Sequence, residues 1–278
     1  MDEDPDLPLT SYPSTHLIPL PDKVRRRRFD RWWLLFLLVV IAFVLLITLV
    51  PDPYMRSLRF VSDGLVITIY FTFASFVFVL LLGLVGGLGR VSSNRFFYGI
   101  SSLYVEIIRG IPLLVQLFMW AFAVPPLIKS LGATLHIPSL ATYSAQPIPT
   151  AIFGLAFCYG AYMTEIVRAG IQSVPKGQME AARSLGMSYW QSMRHIILPQ
   201  AVRMILPPVG NEFVTLLKDT SLVSVIGVGD LTRRGREFMA TYALSTESWL
   251  LVAMLYLMLT LVGARLVSWL ESRTQTER

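Results

Sequence analysis

Residues 175–221 read PKGQMEAARSLGMSYWQSMRHIILPQAVRMILPPVGNEFVTLLKDTS. This is the most polar part of the second half of the chain, and hydrophobic segments flank it on both sides. Ala182, Leu185, Tyr189, Met193 and Ile196 follow one another at helical intervals, so on a helix they form one apolar stripe. Glu180, Arg183, Ser184, Gln191 and Arg194 fall largely elsewhere. Gly186 interrupts the stripe. A glycine can adopt positive φ, ending one helix so that another starts at an angle. The pattern therefore predicts two short amphipathic helices bent at Gly186 and lying on a membrane face. Pro199 is expected where the chain re-enters the bilayer, because proline is tolerated in a first helical turn. Taken by composition alone, such a stretch also fits an amphipathic connector resting on lipid headgroups.

The composition around this stretch is that of an integral membrane protein. Hydrophobic residues make up 54% of the chain and charged residues 15%, against about 25% charged in a soluble domain. Mean hydropathy is positive. The formal charge is +6 and uneven, with Arg25, Arg26, Arg27 and Arg28 just before the first apolar run. Beside a membrane helix such a run reads as a cytoplasmic flank, not a nucleic-acid site. The single cysteine, Cys158, excludes a disulfide within the chain, and His16, His136 and His195 are too scattered to predict a metal site. No cofactor is expected.

Outward from the loop, the hydropathy pattern predicts six spans. Residues 1–22, rich in Pro, Ser/Thr and acids, read as a disordered cytoplasmic tail, and 1–31 as tail plus basic flank. Trp32–Val50 is uncharged and long enough to cross the bilayer. It lacks a small-residue cleavage site, so it reads as a retained helix. With an outer loop it forms an N-terminal unit, 32–63. Gly64–Gly89 is the second span, and its Gly83, Gly86, Gly87 and Gly89 favour close helix packing. The third covers roughly 103–128 and the fourth 148–171. Each carries Glu-x-x-Arg, as Glu106/Arg109 and Glu165/Arg168, so each pair shares a helix face. The fifth, from about Pro199 to Ser221, is poorly hydrophobic. The sixth is Trp249–Leu270, before a tail at 271–278. Lys and Arg are more numerous on the flanks that place both termini inside the cell. The expected localisation is thus a multi-pass cell-membrane protein, N-in and C-in.

Within the loop, Glu180-Ala181-Ala182 is followed by three residues, Gly186, nine residues, and Ile196-Ile197-Leu198-Pro199. This resembles the coupling signature of the membrane subunits of ABC importers at every fixed position. YVEIIRGIPLLVQLF (104–118), AYMTEIVRAGIQSVPKGQMEAARSLGMS (161–188) and LLKDTSLVSVIG (216–227) look like segments of the polar amino-acid permeases, the histidine/glutamine/arginine group. The resemblance covers most of the chain from Gly64 onward. It implies an all-α, type I importer permease fold. A five-helix core with its coupling loop at about 172–199 would occupy 64–270, and the first helix would be an addition.

The resemblance also implies partners. Two permease subunits, identical or paralogous, would pair around a pathway. Each would dock its bent loop into a cytoplasmic ATP-binding cassette subunit, and an extracytoplasmic binding protein would deliver the amino acid. Glu180, Ala181, Ala182, Gly186 and Pro199 carry over as parts of the coupling element; none is catalytic. The sequence has no G-x-x-x-x-G-K-[ST] phosphate loop, so ATP hydrolysis falls to a partner.

An amino acid is a zwitterion and needs donors for its carboxylate and acceptors for its ammonium. The fifth span supplies both in Asn211, Glu212, Lys218, Asp219, Thr220 and Ser221, and Pro207, Pro208 and Gly210 are expected to break its helix and free backbone groups. The alternative for Lys218 and Asp219 is a structural pair at the outer interface. An ion-gradient-driven secondary transporter of amino acids is the rival function. It would also use intramembrane carboxylates but would not need a bent, partner-docking loop. A membrane enzyme is disfavoured by the lack of any Ser/His/Asp set or H-E-x-x-H.

Overall fold

The computed structural model of the chain describes residues 31–274. The expected N-terminal tail, most of its basic flank and the last four residues lie outside that range. Within it every regular element is a helix. In order these are α1 (Arg31–Leu49), α2 (Pro51–Arg90), α3 (Arg95–Gly110), α4 (Leu113–Phe118), α5 (Val124–Thr134), α6 (Pro138–Ala141), α7 (Pro147–Gln172), α8 (Lys176–Ser184), α9 (Tyr189–Ser192), α10 (Leu198–Asp219), α11 (Leu231–Tyr242) and α12 (Ser245–Thr274). Wider π turns at Met119–Ala123 and Met193–Ile197 join α4 to α5 and α9 to α10, and a 3-10 turn at Thr220–Ile226 follows α10.

Five stretches are long and apolar enough to cross a membrane: Trp32–Leu49, Pro51–Arg90, Leu113–Thr134, Pro147–Gln172 and Ser245–Arg273. The fifth predicted span, α10, has the length without the apolar composition. It packs against α7 and α12, which partly cover its Glu212 and Asp219, while Asn211 and Lys218 are exposed.

The centre of the bundle is the parallel pair α2 and α7, whose contacts advance in the same direction from Phe78–Phe153 to Gly87–Val167. Methyl groups placed on Gly83, Gly86 and Gly87 would come within 2.1 Å of Met163, 2.2 Å of Thr164 and 2.4 Å of Val167. Small residues on one helix therefore let the two backbones approach closely, as the glycine pattern predicts. Phe71, Val79, Leu117, Leu155, Met163, Leu216 and Val223 form the buried core around this seam. α10 runs antiparallel to α12, with Gly210 against Val267. α1 lies outside the core. Its Val39 is buried, while Leu34, Leu38, Ile41 and Leu45 are exposed, and Arg265 of α12 sits over the rings of Trp32 and Trp33.

Four expectations change. Residues 51–63, expected as an outer loop, are helical and continuous with the second span. Gly64 lies inside α2, where a side chain would meet Arg234 and the Asp230 carbonyl. The third span does not begin at residue 103. α3 stops at Gly110, because Pro112 disfavours helical geometry at Ile111 (φ −110°, ψ 131°). The membrane-length stretch is therefore Leu113–Thr134. The outer loop after it contains the end of α5 and the short α6. Finally, α10 is unbroken through Pro207 and Pro208. Proline's fixed φ is helical, and packing on α7 and α12 offsets the two missing backbone donors.

Both π turns precede prolines, Pro125-Pro126 and Pro199. A proline ring clashes with the carbonyl four residues back. For Pro199 that carbonyl belongs to His195, inside the widened turn, which makes room for the ring. The helix thus passes from α9 into α10 without a break.

At the end of the bundle opposite α8 and α9, α11 packs on α2 and α12. Asp230 caps it, accepting from the backbone N–H of Thr232 (3.0 Å) and Arg233 (3.1 Å). Thr68 of α2 accepts from the Leu231 N–H at 3.1 Å. Arg234 is ion-paired to Asp63 of α2 and to Glu237, and Arg233 also reaches Glu237. The arginines of this segment therefore fold onto the bundle.

Candidate functional site

The loop between α7 and α10 turns at Gly186, whose φ is +84°. The preceding helix closes with a paired motif. Met187 N–H reaches the Ala182 carbonyl at 3.1 Å, and Gly186 N–H reaches Arg183 at 3.0 Å. This arrangement needs a left-handed residue at its second-last position, which glycine supplies without a Cβ penalty. The next helix starts at once. Ser188 accepts from Gln191 N–H at 3.3 Å, and Gln191 Oε1 accepts from Ser188 N–H at 2.8 Å, a reciprocal cap. Two short helices, α8 and α9, meet at a fixed angle as a result.

The predicted single stripe does not survive this bend. Ala182 is buried, and Met193 and Ile196 pack on Val167, Ile171, Ile197 and Ala201. Leu185 is 83% exposed, and Tyr189 and Trp190 are exposed as well. Helical periodicity holds only within a helix, so a left-handed residue resets the phase of all that follows. Glu180, Ala181 and Pro199 are exposed beside these side chains. The loop therefore holds itself by Ala182, Met193 and Ile196, and presents an outer face of small, acidic and large apolar groups.

A second feature lies deeper, between α7 and α10. A cavity of about 210 Å³ is lined by Leu113, Cys158, Tyr159, Tyr162, Glu212, Thr215 and Asp219. Tyr159 donates to the Asp219 carboxylate at 2.6 Å. Arg109 lies over the ring of Tyr162 at 5.0 Å. Beneath the cavity, buried Gln116 holds the break between α3 and α4. Its Nε2 donates to the carbonyls of Ile108 and Ile111, each at 2.8 Å; at the Pro112 break Ile108 keeps only a longer bond from the Ile111 N–H, at 3.4 Å.

Of the six pathway residues read from the fifth span, Glu212 and Asp219 line this cavity. Asn211 and Lys218 are exposed on α10 and outside the lining. Thr220 is buried and bonds back to the Leu217 carbonyl. Ser221, in the 3-10 turn, is also outside the lining. Lys218 and Asp219 form no ion pair among the described residues; Asp219 takes Tyr159 instead. Tyr159, Tyr162 and Gln116 were not identifiable as site residues from sequence, since they read as ordinary helix residues. The one available signal is the tyrosine pair three residues apart, directly after Cys158 in an otherwise apolar run.

The two Glu-x-x-Arg pairs behave differently. Glu165 and Arg168 pair, through Nε at 2.9 Å and a second shorter contact, and Arg90 of α2 approaches Glu165 at 3.5 Å. Glu106 is exposed, and Arg109 turns to Tyr162. Among the described residues no group of three or more His, Cys, Asp or Glu is placed to hold a metal ion.

Residues 79–276 match the family described as the binding-protein-dependent transport system inner membrane component. The glutamine transport system permease protein of Escherichia coli strain K12 is 35% identical over 76% of this chain and 91% of its own length. The L-cystine transport system permease protein of Bacillus subtilis strain 168 is 41% identical over 64% of this chain and 70% of its own. Among solved structures, an amino acid ABC transporter crystallised with histidines superposes with a TM-score of 0.70 at 36% identity, covering 79% of this chain and 96% of that one. A methionine ABC transporter in an inward-facing conformation, at 21% identity and a TM-score of 0.53, shares the fold.

Proposed function

The chain belongs to the family of binding-protein-dependent transport system inner membrane components and has the fold of type I ABC importer permeases, and on that premise we propose that it carries a polar L-amino acid into the cell. A separate cytoplasmic ATPase drives it through the loop at about 172–199. The observation that carries this reading is the loop's construction. A left-handed Gly186 sets two capped helices at an angle, and Glu180 and Ala181 are turned outward beside Leu185 and Trp190. Small residues let a partner's groove come close, and large exposed apolar groups give it something to grip.

In this account ATP binding closes the ATPase pair and draws two such loops together. Force then passes from α8–α9 along the continuous helix into α10, and from α8 back into α7. Those two helices bound the cavity, so a shift of the loop changes the shape of the cavity directly. Ala182 seats the loop on the bundle, and Pro199, in the first turn of α10, follows the widened turn that joins α10 to the loop. A second permease copy or paralogue completes the pathway, and an extracytoplasmic binding protein supplies the solute. Both termini lie on the cytoplasmic side. The chain itself catalyses no reaction; hydrolysis belongs to the ATPase.

The test is purification of the tagged chain from its native membrane in mild detergent, with partners identified by mass spectrometry. A stoichiometric ATPase that is lost when Glu180 or Gly186 is altered supports the reading. Amino-acid uptake by the chain without any ATPase, driven by an ion gradient, would replace it.

A further inference from the structure

A second hollow lies at the foot of the loop, away from the α7–α10 cavity. It is a cleft of about 500 Å³ between the end of α7, α8 and the π turn before α10. Ile171, Val174, Pro175, Met179, Met193 and Ile197 make it apolar, and the exposed Lys176 also lines it. Residues 172–199 hold Lys176, Arg183 and Arg194 against one carboxylate, Glu180. None of these three cations joins an ion pair among the described residues. The cleft is thus an apolar slot on a positively charged loop.

The chain holds a segment of matching chemistry. Residues 1–22 carry Asp2, Glu3, Asp4, Asp6 and Asp22 and no Lys or Arg, and Leu7 and Leu9 follow directly on the clustered acids. The segment also joins the bundle at the loop's end. α12 runs antiparallel to α10, since Gly210 meets Val267 while Gly263 meets Leu217. The close of α12 therefore lies beside the start of α10, where the loop is. Arg265, near that close, sits over Trp32 and Trp33, so α1 begins at this end too. From α1 by way of α12 and α10 to the π turn is about three helix spacings, roughly 30 Å. Leu9 and Arg31 are about 22 residues apart, a length that reaches up to about 70 Å.

We propose that residues 2–9, DEDPDLPL, dock in this cleft of their own chain and so act as a brake on engagement of the ATPase. Leu7 and Leu9 meet Met179 and Met193, and the acids face Lys176. The docking rests on the cleft and the segment; the brake rests on the transport function argued above. An anionic inner leaflet repels the acids, and the loop is the positive protein surface within their reach. Pro5 and Pro8 lower the entropy lost on ordering the segment. The tether makes the contact intramolecular, at an effective concentration of about 1 mM, so a site of about 1 mM affinity is filled in about half of the chains. A docked segment lies along α8 beside Glu180 and Ala181, the groups offered to the ATPase, and adds negative charge there. Docking and ATPase engagement then exclude one another.

Photo-cross-linking of the full chain in its native membrane tests the docking. p-Benzoylphenylalanine placed at Leu7 should insert into peptides that contain Met179 or Met193, identified by mass spectrometry. Lys176→Glu should cut that yield about threefold, and about 0.5 M salt should lower it too, because exposed charges are screened. The same probe placed at Ser14, outside the segment, should give far less of either product. Cross-links confined to the Arg25–Arg28 peptide, to lipid or to the ATPase would overturn the docking. So would a covalent dimer, which puts the segment on a second copy, or a yield indifferent to Lys176→Glu. ATP-driven uptake by the complete transporter in proteoliposomes tests the brake. Asp2→Asn, Glu3→Gln, Asp4→Asn and Asp6→Asn together should raise the initial rate about twofold at equal incorporation, as the docked half of the chains is released. An unchanged or lower rate would overturn the brake. No ATP-driven uptake by parent or variant would instead remove the transport function, and the cross-link would still decide the docking.

Discussion

Tyr159 on α7 donates a 2.6 Å hydrogen bond to Asp219, in the last turn of α10. The two are distant in sequence, and the bond ties together the helices that bound the cavity. It also orients the carboxylate, leaving one oxygen turned elsewhere. Tyr159→Phe should therefore weaken amino-acid transport by raising KM several-fold, while the protein keeps its expression and its detergent melting temperature within a few degrees. A net hydrogen bond to a charged group contributes about 1.5–3 kcal/mol, and here part of that is spent on orientation. An unchanged KM for every amino acid transported would count against a positioning role.

Gln116 secures the break between α3 and α4. Gln116→Leu keeps the approximate volume but leaves the carbonyls of Ile108 and Ile111 without the amide. We expect a loss of about 1–3 kcal/mol in stability for these buried acceptors, read as a lower melting temperature of the purified chain. Gln116→Glu should be no better, since an ionised carboxylate has no N–H to donate. A melting temperature equal to that of the parent in both variants would show that the break is held by other contacts.

The seam of α2 and α7 has no room for side chains at Gly86 and Gly87. Gly86→Val and Gly87→Val are expected to separate the helices and abolish recovery of the folded protein, because the added atoms would fall within about 2.2–2.4 Å of Thr164 and Val167. Gly99→Val, where a side chain meets nothing within 4 Å, should fold at near-parental yield. Equal size-exclusion profiles for all three would contradict the packing described.

Glu237 on α11 offers a pH test. Burial pushes its carboxyl up, but the hydrogen bonds from Arg234 and Arg233 outweigh burial and hold it below the usual carboxylate range. A carboxyl lowered in the folded state adds stability above its unfolded pKa, and that stability is lost as pH falls through the folded value. The α11 clasp should weaken below about pH 4, near and under the ordinary glutamate value. The side chains are partly exposed, so the effect is under about 1 kcal/mol. Melting temperature measured from pH 7 down to pH 3 should fall less steeply in Glu237→Gln than in the parent. Identical slopes would show that the pair contributes nothing.

Much of this architecture was legible in the residues. The uncharged run after Trp32, the glycines at 83–87 and the polar character of α10 each followed from elementary rules about bilayers and close packing. Gly186 was legible too, because only its position interrupts a helical pattern between two capable helix formers. What escaped the sequence has identifiable causes. Helical periodicity does not carry across Gly186, where a change of backbone hand resets it and turns Tyr189 outward, and Leu185 already lies past the end of α8. Pro112 lies within the apolar run of the third span, yet it ends α3 and splits that span. Pro207 and Pro208 were expected to break a helix that tertiary packing preserves. In the cavity, Glu212 and Asp219 stood out because carboxylates in a span are rare. Tyr159, Tyr162 and Gln116 did not, because their role depends on which helices become neighbours.

The central claim is that the bend at Gly186 transmits ATP-driven force to an amino-acid pathway. A side chain at Gly186 meets nothing within 4 Å, so a substitution there acts through the backbone alone. A left-handed β-branched residue costs about 1–2 kcal/mol or more, whereas asparagine tolerates the conformation. The decisive measurement is ATP-driven uptake of labelled arginine and glutamine into proteoliposomes holding the complete transporter with its binding protein. Parent, Gly186→Asn and Gly186→Val are compared at equal incorporation. The account predicts uptake of at least one of the two solutes by the parent, near-parental uptake by Gly186→Asn and a loss of about tenfold or more in Gly186→Val, with ATP hydrolysis no longer tied to uptake. Parental uptake by a fully incorporated Gly186→Val transporter would contradict it.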